Sequence, residues 1–404
     1  MLAGVKKSSV ELANLTEPFD PDELDICVFV ERECSIQRRH QKVIEESPSC
    51  LLTEETRRKM VKQVKALVRQ VGYTSAGTVE WLVDETQNFY FLEMNTRLQV
   101  EHPITEAVSD VDLVKGMLHI GAGWGLPQDF LDKLGHNEYM PYFGHAVEGR
   151  IYAEDPLRGF LPSTGPLIPY QEPVLEGVRV DSGVTQGHVV SPHYDPMLAK
   201  VICYAEKRKD AVEGLAVALD NYVIEGVQHN ARLVNSVLRH PVFIEGKTPT
   251  SFLPTHYPDG FHGVELTTKQ KDRLAAIMVM VGKIRQETLK SPLVPGSSDE
   301  IIVKLGGMFG EALSVKMLDE TAATIKDVDG KSEERIVTLD APLEYKPVDL
   351  LARAWINDKL VTVQVRCDIF IEENCNMIHT YSTLVSSGPW RGCDRRDEGS
   401  NLWC

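Results

Sequence analysis

Two extended runs on either side of a short polar turn constrain the fold of this chain most. Residues 78–84 (TVEWLVD) and 89–95 (FYFLEMN) are rich in β-branched and aromatic side chains, and the polar residues 85–88 (ETQN) separate them. Runs of this composition around a polar turn are typical of paired strands. The pattern therefore predicts an antiparallel hairpin with a four-residue loop.

Counting outward from that loop places two carboxylates opposite each other. Asp84 then pairs with Phe89, and Glu80 pairs with Glu93. Facing carboxylates repel each other, so a hard cation such as Mg²⁺ that bridges them through oxygen would explain the pair. Taken alone, the pair is more typical of a solvated sheet face, where facing acids cost little.

The chain continues past the second run with a polar side chain at every other residue. In an extended chain, period 2 places one row on a single face: Glu93, Asn95, Arg97, Gln99 and Glu101. The row offers oxygen ligands for a metal, a guanidinium for an anion, an amide and a general base. Metal-assisted chemistry on a small anion uses this set. The alternative is a ladder of structural salt bridges.

Two other places carry candidate site residues. Residues 37–42 (QRRHQK) form a cationic cluster suited to phosphate or a small oxyanion, and a solvated turn balanced by Glu45 and Glu46 explains them equally well. Arg150 lies in a predicted strand, and Asp195 lies in a predicted loop. Each is, by itself, more typical of a surface charge or a local salt bridge.

The composition narrows the class of protein. The 404 residues, 43% hydrophobic and 25% charged, are ordinary for a globular protein of two or three domains. No apolar run reaches the roughly 18 residues that cross a bilayer, so we expect no membrane partner. The net charge of −16 argues against nucleic acid. None of the eight cysteines forms a CxxC pair, so reduced thiols in a cytosolic or organellar compartment are expected.

The remaining periodicity predicts an α+β fold. Thr53 begins a predicted helix that Gly72 ends. Further helices are predicted over 105–121, 209–222 and a polar 267–289, and strands over 25–31, 144–154, 178–181 and 198–204. After the linker 292–298, short strands indicate a second, β-rich domain.

Several segments resemble biotin carboxylases of the ATP-grasp superfamily. The resemblance runs from about Asp25 to Gly260, with its motifs in the family's order: 37–46 (QRRHQKVIEE), 77–80 (GTVE), 93–106 (EMNTRLQVEHPITE), 160–165 (FLPSTG) and 194–197 (YDPM). It implies that bicarbonate is activated to carboxyphosphate and that biotin is then carboxylated on its ureido nitrogen. The implied cofactors are ATP, Mg²⁺ or Mn²⁺, and biotin.

The resemblance also implies roles for individual residues. Metal binding would fall to Glu80, Glu93 and Asn95. ATP would be bound by Gln37, His40, Leu82, Glu80 and Glu93. Bicarbonate would be bound by Lys42, Arg97, Gln99 and the Val100 amide. Glu101 would be the general base, Arg150 would stabilise the biotin enolate, and Asp195 would orient Arg150. Gly149 departs from the larger residue that is common before this arginine.

The implied fold is the C-terminal part of an ATP-grasp biotin carboxylase followed by a β-rich domain that contacts the carboxyltransferase. The expected divisions are an unmatched segment 1–23, a partial ATP-grasp domain 24–143, a biotin carboxylase C-terminal domain 144–260, a helix plus β-rich subunit-interaction domain 261–366 and an irregular tail 367–404.

Residues 219–227 and 257–261 look most like α subunits of propionyl-CoA carboxylases, with methylcrotonyl-CoA carboxylases as the near rival. The implied function is the biotin carboxylase component for conversion of propionyl-CoA to methylmalonyl-CoA. The implied setting is a mitochondrial hetero-oligomer with a biotin carrier domain and carboxyltransferase β subunits. The alternative is a catalytically incomplete assembly module, because neither the family's glycine-rich ATP lid nor its Met-Lys-Met site occurs here.

Overall fold

A computed structural model describes residues 1–5, 24–263, 266–289, 300–305, 311–328, 333–365, 377–380 and 384–386. Most of the segment 1–23, the linker 292–298 and residues 387–404 therefore lie outside the described residues. Helices and antiparallel sheets are mixed along the chain, which confirms the α+β prediction. None of the described helices combines the length and the apolar character needed to cross a membrane.

The first part of the chain contains β1 (Leu2–Val5), β2 (Leu24–Cys27), β3 (Glu33–Arg38), β4 (Gln41–Ser47), α1 (Glu54–Val71), β5 (Ser75–Ala76), β6 (Thr78–Val83), β7 (Phe89–Asn95), α2 (His102–Ser109), α3 (Leu113–Gly121) and α4 (Gln128–Leu134). The middle part contains β8 (His145–Tyr152), β9 (Glu154–Asp155), a 3₁₀ turn (Pro156–Arg158), β10 (Leu161–Pro162), β11 (Gly165–Pro166), β12 (Tyr170–Gln171), β13 (Val178–Ser182), β14 (Val189–Val190), β15 (Met197–Ala205), α5 (Arg208–Asn221), β16 (Val223–Ile224), α6 (Ala231–Leu238), α7 (Pro241–Ile244) and α8 (Phe252–His256). The last part contains α9 (Thr268–Leu289), β17 (Glu300–Leu305), β18 (Glu311–Met317), β19 (Ala322–Asp327), β20 (Arg335–Thr338), β21 (Leu351–Ile356), β22 (Lys359–Gln364), β23 (Met377–Thr380) and β24 (Leu384–Ser386).

Helix α1 begins and ends where the sequence predicts. The Thr53 side chain accepts a hydrogen bond from the Thr56 amide, and Gly72 adopts the left-handed conformation with φ 62°. Both are standard helix caps. Met60 and Val64 are buried on one side of the helix, so its apolar spacing matches the core that it covers.

The single helix predicted over 105–121 is wrong in its middle. Asp110 adopts a left-handed conformation with φ 52°, which ends α2, and the Asp112 side chain caps the start of α3. Asp is among the few non-glycine residues that tolerate this conformation. The chain therefore turns between two short helices although the apolar spacing runs through both.

A five-stranded antiparallel sheet forms the centre of the molecule, in the order β13-β15-β8-β4-β3. Helices α5 and α6 pack against it. On the face toward α6, Gly149 gives the backbone close approach, because a Cβ there would lie 3.0 Å from Val234 Cγ1. On the other face, Glu45 of β4 lies opposite Glu148 of β8. Helix α2 also packs on β8, β4 and β15, which brings the start of α2 to the sheet.

The last part of the chain packs strands around α9. The polar description of this helix was wrong for its middle, because every residue of 274–281 is at most 3% exposed. Its two buried charged residues have partners: Asp272 accepts hydrogen bonds from Arg335, and Arg285 donates one to the Tyr345 hydroxyl. The β-rich character that was expected here is confirmed.

Two short strands lie inside the segment 367–404, which was predicted to be irregular. Strand β23 pairs in parallel with β17, and β24 pairs with β22. A strand of three or four residues is too short to show periodicity. Its partner is also distant in the sequence, so the local pattern carried no signal for it.

Candidate functional site

The β6–β7 hairpin places the two predicted carboxylates opposite each other. Glu80 pairs with Glu93, as expected. The expected pairing of Asp84 with Phe89 is wrong, because Val83 is the partner of Phe89. A register shift beside Glu80 leaves Leu92 as an extra residue on β7 and restores the pairing of the carboxylates. Such a β-bulge redirects the side chains that follow it.

A cavity of about 400 Å³ opens beside this hairpin. The predicted site residues that line it are Gln37, His40, Lys42, Glu80, Glu93, Asn95, Arg97, Gln99, Val100, Glu101 and Arg150. Gln41 and Leu92 complete the lining. The predicted row does not stay extended, since β7 ends at Asn95. Turns then bring the later members of the row to the same cavity.

The cationic segment 37–42 enters the cavity through a tight turn. Arg39 and His40 connect β3 to β4, and their φ angles are 47° and 67°. A two-residue hairpin loop with both φ values positive is a type I′ turn, which favours Asn and Gly. Two bulky residues hold this conformation at a cost in free energy, and His40 lies at the cavity as a result.

Glu80 collects hydrogen bonds from three site residues. Its Oε1 accepts from Gln99 Nε2 at 2.7 Å, from Lys42 Nζ at 3.0 Å and from Asn95 Nδ2 at 3.2 Å. Asn95 Nδ2 also donates to Glu93 Oε1 at 2.8 Å. The two facing carboxylates are therefore linked through one amide, and both residues line the cavity.

Glu101 lies between two cations at the start of α2. Lys42 Nζ is 2.7 Å from its Oε1, and Arg150 Nη2 is 2.9 Å from its Oε2. Burial raises the pKa of Glu101, but the charges of Arg32 and Lys42 and the hydrogen bond from Lys42 outweigh this and lower it to about 2. Glu101 is therefore ionised at neutral pH, and its carboxylate is held on both sides.

Arg150 contacts Glu45 of the central sheet and Glu101 at the start of α2, and in the described residues it makes no contact with Asp195. Its Nη2 lies 2.5 Å from Glu45 Oε1 in addition to its contact with Glu101. Asp195 is exposed, and its side chain accepts a hydrogen bond from the Met197 amide in its own loop. The predicted orientation of Arg150 by Asp195 therefore has no contact behind it in the described residues and stays a prediction.

Leu82 also lies outside the cavity lining. It follows Glu80 by two residues on β6, and 52% of its surface is exposed. Leu92, the extra residue of the bulge, lines the cavity in its place. The bulge could not be predicted because it follows from pairing and not from composition.

Arg32 supports the site and was missed from the sequence. Its guanidinium donates to Gln99 Oε1 at 2.5 Å, Thr105 Oγ1 at 2.8 Å and Thr78 Oγ1 at 3.2 Å. These residues belong to β6, to the turn before α2 and to α2 itself, and Glu101 Oε1 lies 3.9 Å away. Arg32 stands between two glutamates in the sequence, a setting that indicates only a local salt bridge.

Comparison with protein families gives two matches. Residues 20–129 match the carbamoyl-phosphate synthase L chain, ATP binding domain, and residues 148–255 match the biotin carboxylase C-terminal domain. The cavity draws its residues from both matched ranges.

Curated relatives include acyl-CoA carboxylase chains. The mitochondrial propionyl-CoA carboxylase alpha chain of Sus scrofa is 50% identical over 65% of this chain. The propionyl-CoA carboxylase alpha chain of Ruegeria pomeroyi is 39% identical over 83% of it. The mitochondrial methylcrotonoyl-CoA carboxylase subunit alpha of Mus musculus is 42% identical over 63%. The chain spans 36%, 51% and 36% of the lengths of these three relatives, respectively.

Solved structures that are similar to this chain include biotin carboxylase domains and subunits. The biotin carboxylase subunit of pyruvate carboxylase is 40% identical with a TM-score of 0.54, over 57% of this chain and 49% of that one. The biotin carboxylase domain of a thermophilic 2-oxoglutarate carboxylase, solved with bicarbonate, is 40% identical with a TM-score of 0.53, over 56% and 49%.

Proposed function

Because the chain belongs to the biotin carboxylase family, we propose that its cavity binds bicarbonate beside a Mg-nucleotide and serves the carboxylation of biotin. The observation that supports this most is the meeting of Lys42, Arg97 and Gln99 with the ionised Glu101 in one cavity. Cationic and amide donors bind a small oxyanion, and a carboxylate beside them takes up a proton.

The carboxylate pair fits a divalent metal ion. Glu80 and Glu93 supply oxygen ligands, which Mg²⁺ and Mn²⁺ prefer, and Asn95 offers an amide oxygen once its side chain is flipped. These residues would hold the ion, which would neutralise phosphate charge when bound. Gln37 and His40 lie at the same cavity and would contact the nucleotide.

The proposed base is too weak while both cations hold it. A carboxylate with a pKa of about 2 accepts protons poorly at neutral pH, since a general base works best near the operating pH. A bicarbonate anion bound by Lys42 and Arg97 would offset part of the lysine charge. The pKa of Glu101 would then rise, so substrate binding would itself activate the base.

Arg150 is proposed to stabilise the negative charge that forms on biotin when its ureido proton leaves. It lies at the cavity and contacts Glu101, so the proton acceptor and the charge-stabilising group are adjacent. The guanidinium is fixed before the reaction, and this preorganisation lowers the cost of forming the charge.

We propose that the natural setting is an acyl-CoA carboxylase that converts propionyl-CoA to methylmalonyl-CoA. Identity of 50% to a propionyl-CoA carboxylase alpha chain, against 42% to the methylcrotonoyl-CoA enzyme, supports this choice. The proposal includes a biotin carrier domain, carboxyltransferase β subunits in a hetero-oligomer and the mitochondrial matrix. The word mitochondrial in the names of two relatives supports the last of these. The domain divisions and the site roles given above are part of the same proposal, with Asp195 and Leu82 left out.

Bicarbonate binding by the 404-residue chain tests the proposal directly. We expect ¹³C-bicarbonate to bind, and Arg97→Met to weaken binding at least about tenfold, because a charge-assisted hydrogen bond contributes roughly 1.5–3 kcal/mol. Titration calorimetry and ¹³C NMR would measure the affinity. Arg158→Met is the matched control, since Arg158 is exposed on the 3₁₀ turn.

Equal affinity in Arg97→Met and the unchanged chain would refute the assignment of the bicarbonate site. A second assay follows ATP-dependent carboxylation of free biotin. Glu101→Gln should abolish any turnover, because an amide accepts no proton at neutral pH. Turnover that persists in this variant would exclude Glu101 as the base.

A further inference from the structure

Two buried carboxylates lie under the cavity and have no role in the function proposed above. Glu45 and Glu148 face each other across β4 and β8, with exposed fractions of 1% and 0%. Neither carboxyl oxygen of Glu148 has a hydrogen-bond partner in the described part of the chain. Burial of an unpaired carboxylate costs far more free energy than burial of the neutral acid.

One guanidinium serves two of the acids in this region. Arg150 Nη2 is 2.5 Å from Glu45 Oε1 and 2.9 Å from Glu101 Oε2. Arg150 is therefore shared between two carboxylates, of which Glu101 has Lys42 as a second cation and Glu45 does not. Any further charge on the sheet beside Glu45 would compete with Glu101 for the same guanidinium.

The nearby lysines are engaged elsewhere. Lys200 lies opposite Arg150 on β15, but its Nζ contacts the Val100 carbonyl at 3.0 Å and Asp181 at 3.2 Å. Lys42 contacts Glu101 and Glu80. Both lysines and Glu101 thus act on the pair of acids at longer range, whereas Arg150 contacts Glu45 directly.

We propose that Glu45 and Glu148 share a proton at neutral pH and that this pair positions Arg150 against Glu101. Two facing carboxylates in a dry site cannot both ionise cheaply, so the pair retains a proton. Burial raises the pKa of Glu45 to about 7, with Arg150 lowering it and Glu101 raising it in part. Burial and the charge of Glu45 raise the pKa of Glu148 well above its usual range.

The protonation state of Glu45 and Glu148 would control the contact between Arg150 and Glu101. While it holds a proton, Arg150 divides its contacts between Glu45 and Glu101. Once the proton leaves, the added negative charge draws the guanidinium toward β4 and β8 and away from Glu101. The consequence for biotin carboxylation depends on the proposed function, whereas the shared proton and the position of Arg150 do not.

Thermal unfolding of the full chain against pH tests the shared proton. An acid whose pKa is raised by folding contributes its stability below the unfolded pKa, near 4.5, and loses it as the pH rises through the folded pKa. Glu148→Gln mimics the neutral acid and avoids this loss. We expect its unfolding temperature to exceed that of the unchanged chain by about 2–4 °C at pH 8 and to approach it at pH 5.

Glu46→Gln is the matched control. Glu46 adjoins Glu45 and is equally buried, but His145 and Arg208 donate hydrogen bonds to it and outweigh burial, so its pKa is lowered. This variant should lose stability at pH 7 and keep the pH dependence of the unchanged chain between pH 5 and pH 8, because a lowered pKa changes stability only in more acidic solution. An equal pH dependence in Glu148→Gln and the unchanged chain would overturn the shared proton.

Infrared spectra of the unchanged chain decide the same point without any variant. With ¹³C-labelled glutamate, a protonated carboxyl band should persist at pH 6 and pH 7, above the usual range for a glutamate, and decrease at higher pH. Absence of this band at pH 6 would overturn the proposal.

The position of Arg150 is read from its guanidinium ¹⁵N resonances. They should shift as the pair of acids titrates in the unchanged chain and stay fixed in Glu45→Gln. Resonances that do not shift in the unchanged chain would overturn the positioning role. A chain that binds no bicarbonate would refute the proposed function and leave these readouts intact.

Discussion

Glu101 depends on its neighbours more than any other residue of the site. Lys42 and Arg150 each contact one of its carboxylate oxygens, and Arg32 adds charge at 3.9 Å. Removal of one cation changes the basicity of the carboxylate without moving the backbone. This dependence leads to one prediction for the pKa of Glu101 and one for the stability of the fold.

Lys42→Met should raise the pKa of Glu101. A cation in contact with a carboxylate lowers its pKa by roughly 1–3, so loss of the lysine should reverse a shift of that size. Titration of the Glu101 carboxyl by ¹³C NMR measures it. Lys59→Met is the control, because Lys59 is exposed and pairs with Glu55 along α1. An unchanged pKa of Glu101 in Lys42→Met would contradict the role of Lys42 in lowering it.

Glu101→Gln should destabilise the fold at neutral pH and have little effect in acid. A lowered folded-state pKa means that the carboxylate contributes stability above its unfolded pKa of about 4.5, and that this is lost as the pH falls toward 2. The variant also leaves two cations short of a partner, at a cost of roughly 3–5 kcal/mol. Urea unfolding at pH 7 and pH 3 would measure the difference. An equal loss of stability at both pH values would show that the ionised Glu101 carboxylate is not its cause.

Single residues were predictable where their chemistry is local. Glu80, Glu93 and Glu101 were identified from their types and spacing, and all three line the cavity. Arg32 was not, because its partners lie 46 to 73 residues away in the sequence. The contact of Arg150 with Glu45 was missed for the same reason, since pairing of β4 with β8 creates it.

The elements of the hairpins decide where the site residues point. The register of β6 and β7 was right at Glu80 although the loop was counted wrongly, because the bulge at Leu92 cancels the error. The β3–β4 turn is a second such element. It holds His40 at the cavity in a conformation that suits glycine better.

His40→Gly should stabilise the fold and weaken nucleotide binding. Relief of the left-handed conformation gains roughly 1 kcal/mol, whereas the imidazole at the cavity is lost. Denaturant unfolding and titration with ATP and Mg²⁺ measure the two effects. Asn357→Gly is the control, because Asn357 has φ 52° in the two-residue turn between β21 and β22, distant from the cavity lining. Equal nucleotide affinity in His40→Gly and the unchanged chain would remove His40 from the site.

Helix ends and long strands were the predictable elements. Thr53 and Gly72 predicted the two ends of α1 correctly, because helix capping depends on residues close together in the sequence. The break at Asp110 and the strands β23 and β24 were missed, since a left-handed aspartate and a distant strand partner leave no periodic trace.

At the scale of the whole molecule, the end of α5 joins the site-bearing part to the β-rich part. Gln364 Nε2 donates to the Tyr222 carbonyl at 3.1 Å and to the Asp220 carbonyl at 3.3 Å, and Arg353 contacts Asn221. Between the described residues, these contacts are hydrogen bonds of polar side chains. We therefore expect the two parts to unfold with limited coupling.

Gln364→Ala should reduce that coupling by about 0.5–1.5 kcal/mol, the net contribution of a typical hydrogen bond. Calorimetry should show the two unfolding transitions moving apart. Gln128→Ala is the control, because Gln128 is exposed and bonds within its own helix to Asp132. Transitions that do not move in Gln364→Ala would show that other contacts hold the parts together.

The buried helix α9 sets an order of events during synthesis. The ribosome completes α9 before any of the strands β17 to β21 that pack on it has been made. The apolar middle of the helix, 274–281, therefore meets water or a chaperone until the strand residues up to about 356 have emerged. A pause in translation within that interval would prolong this exposure, and the nascent chain would then be most prone to aggregate.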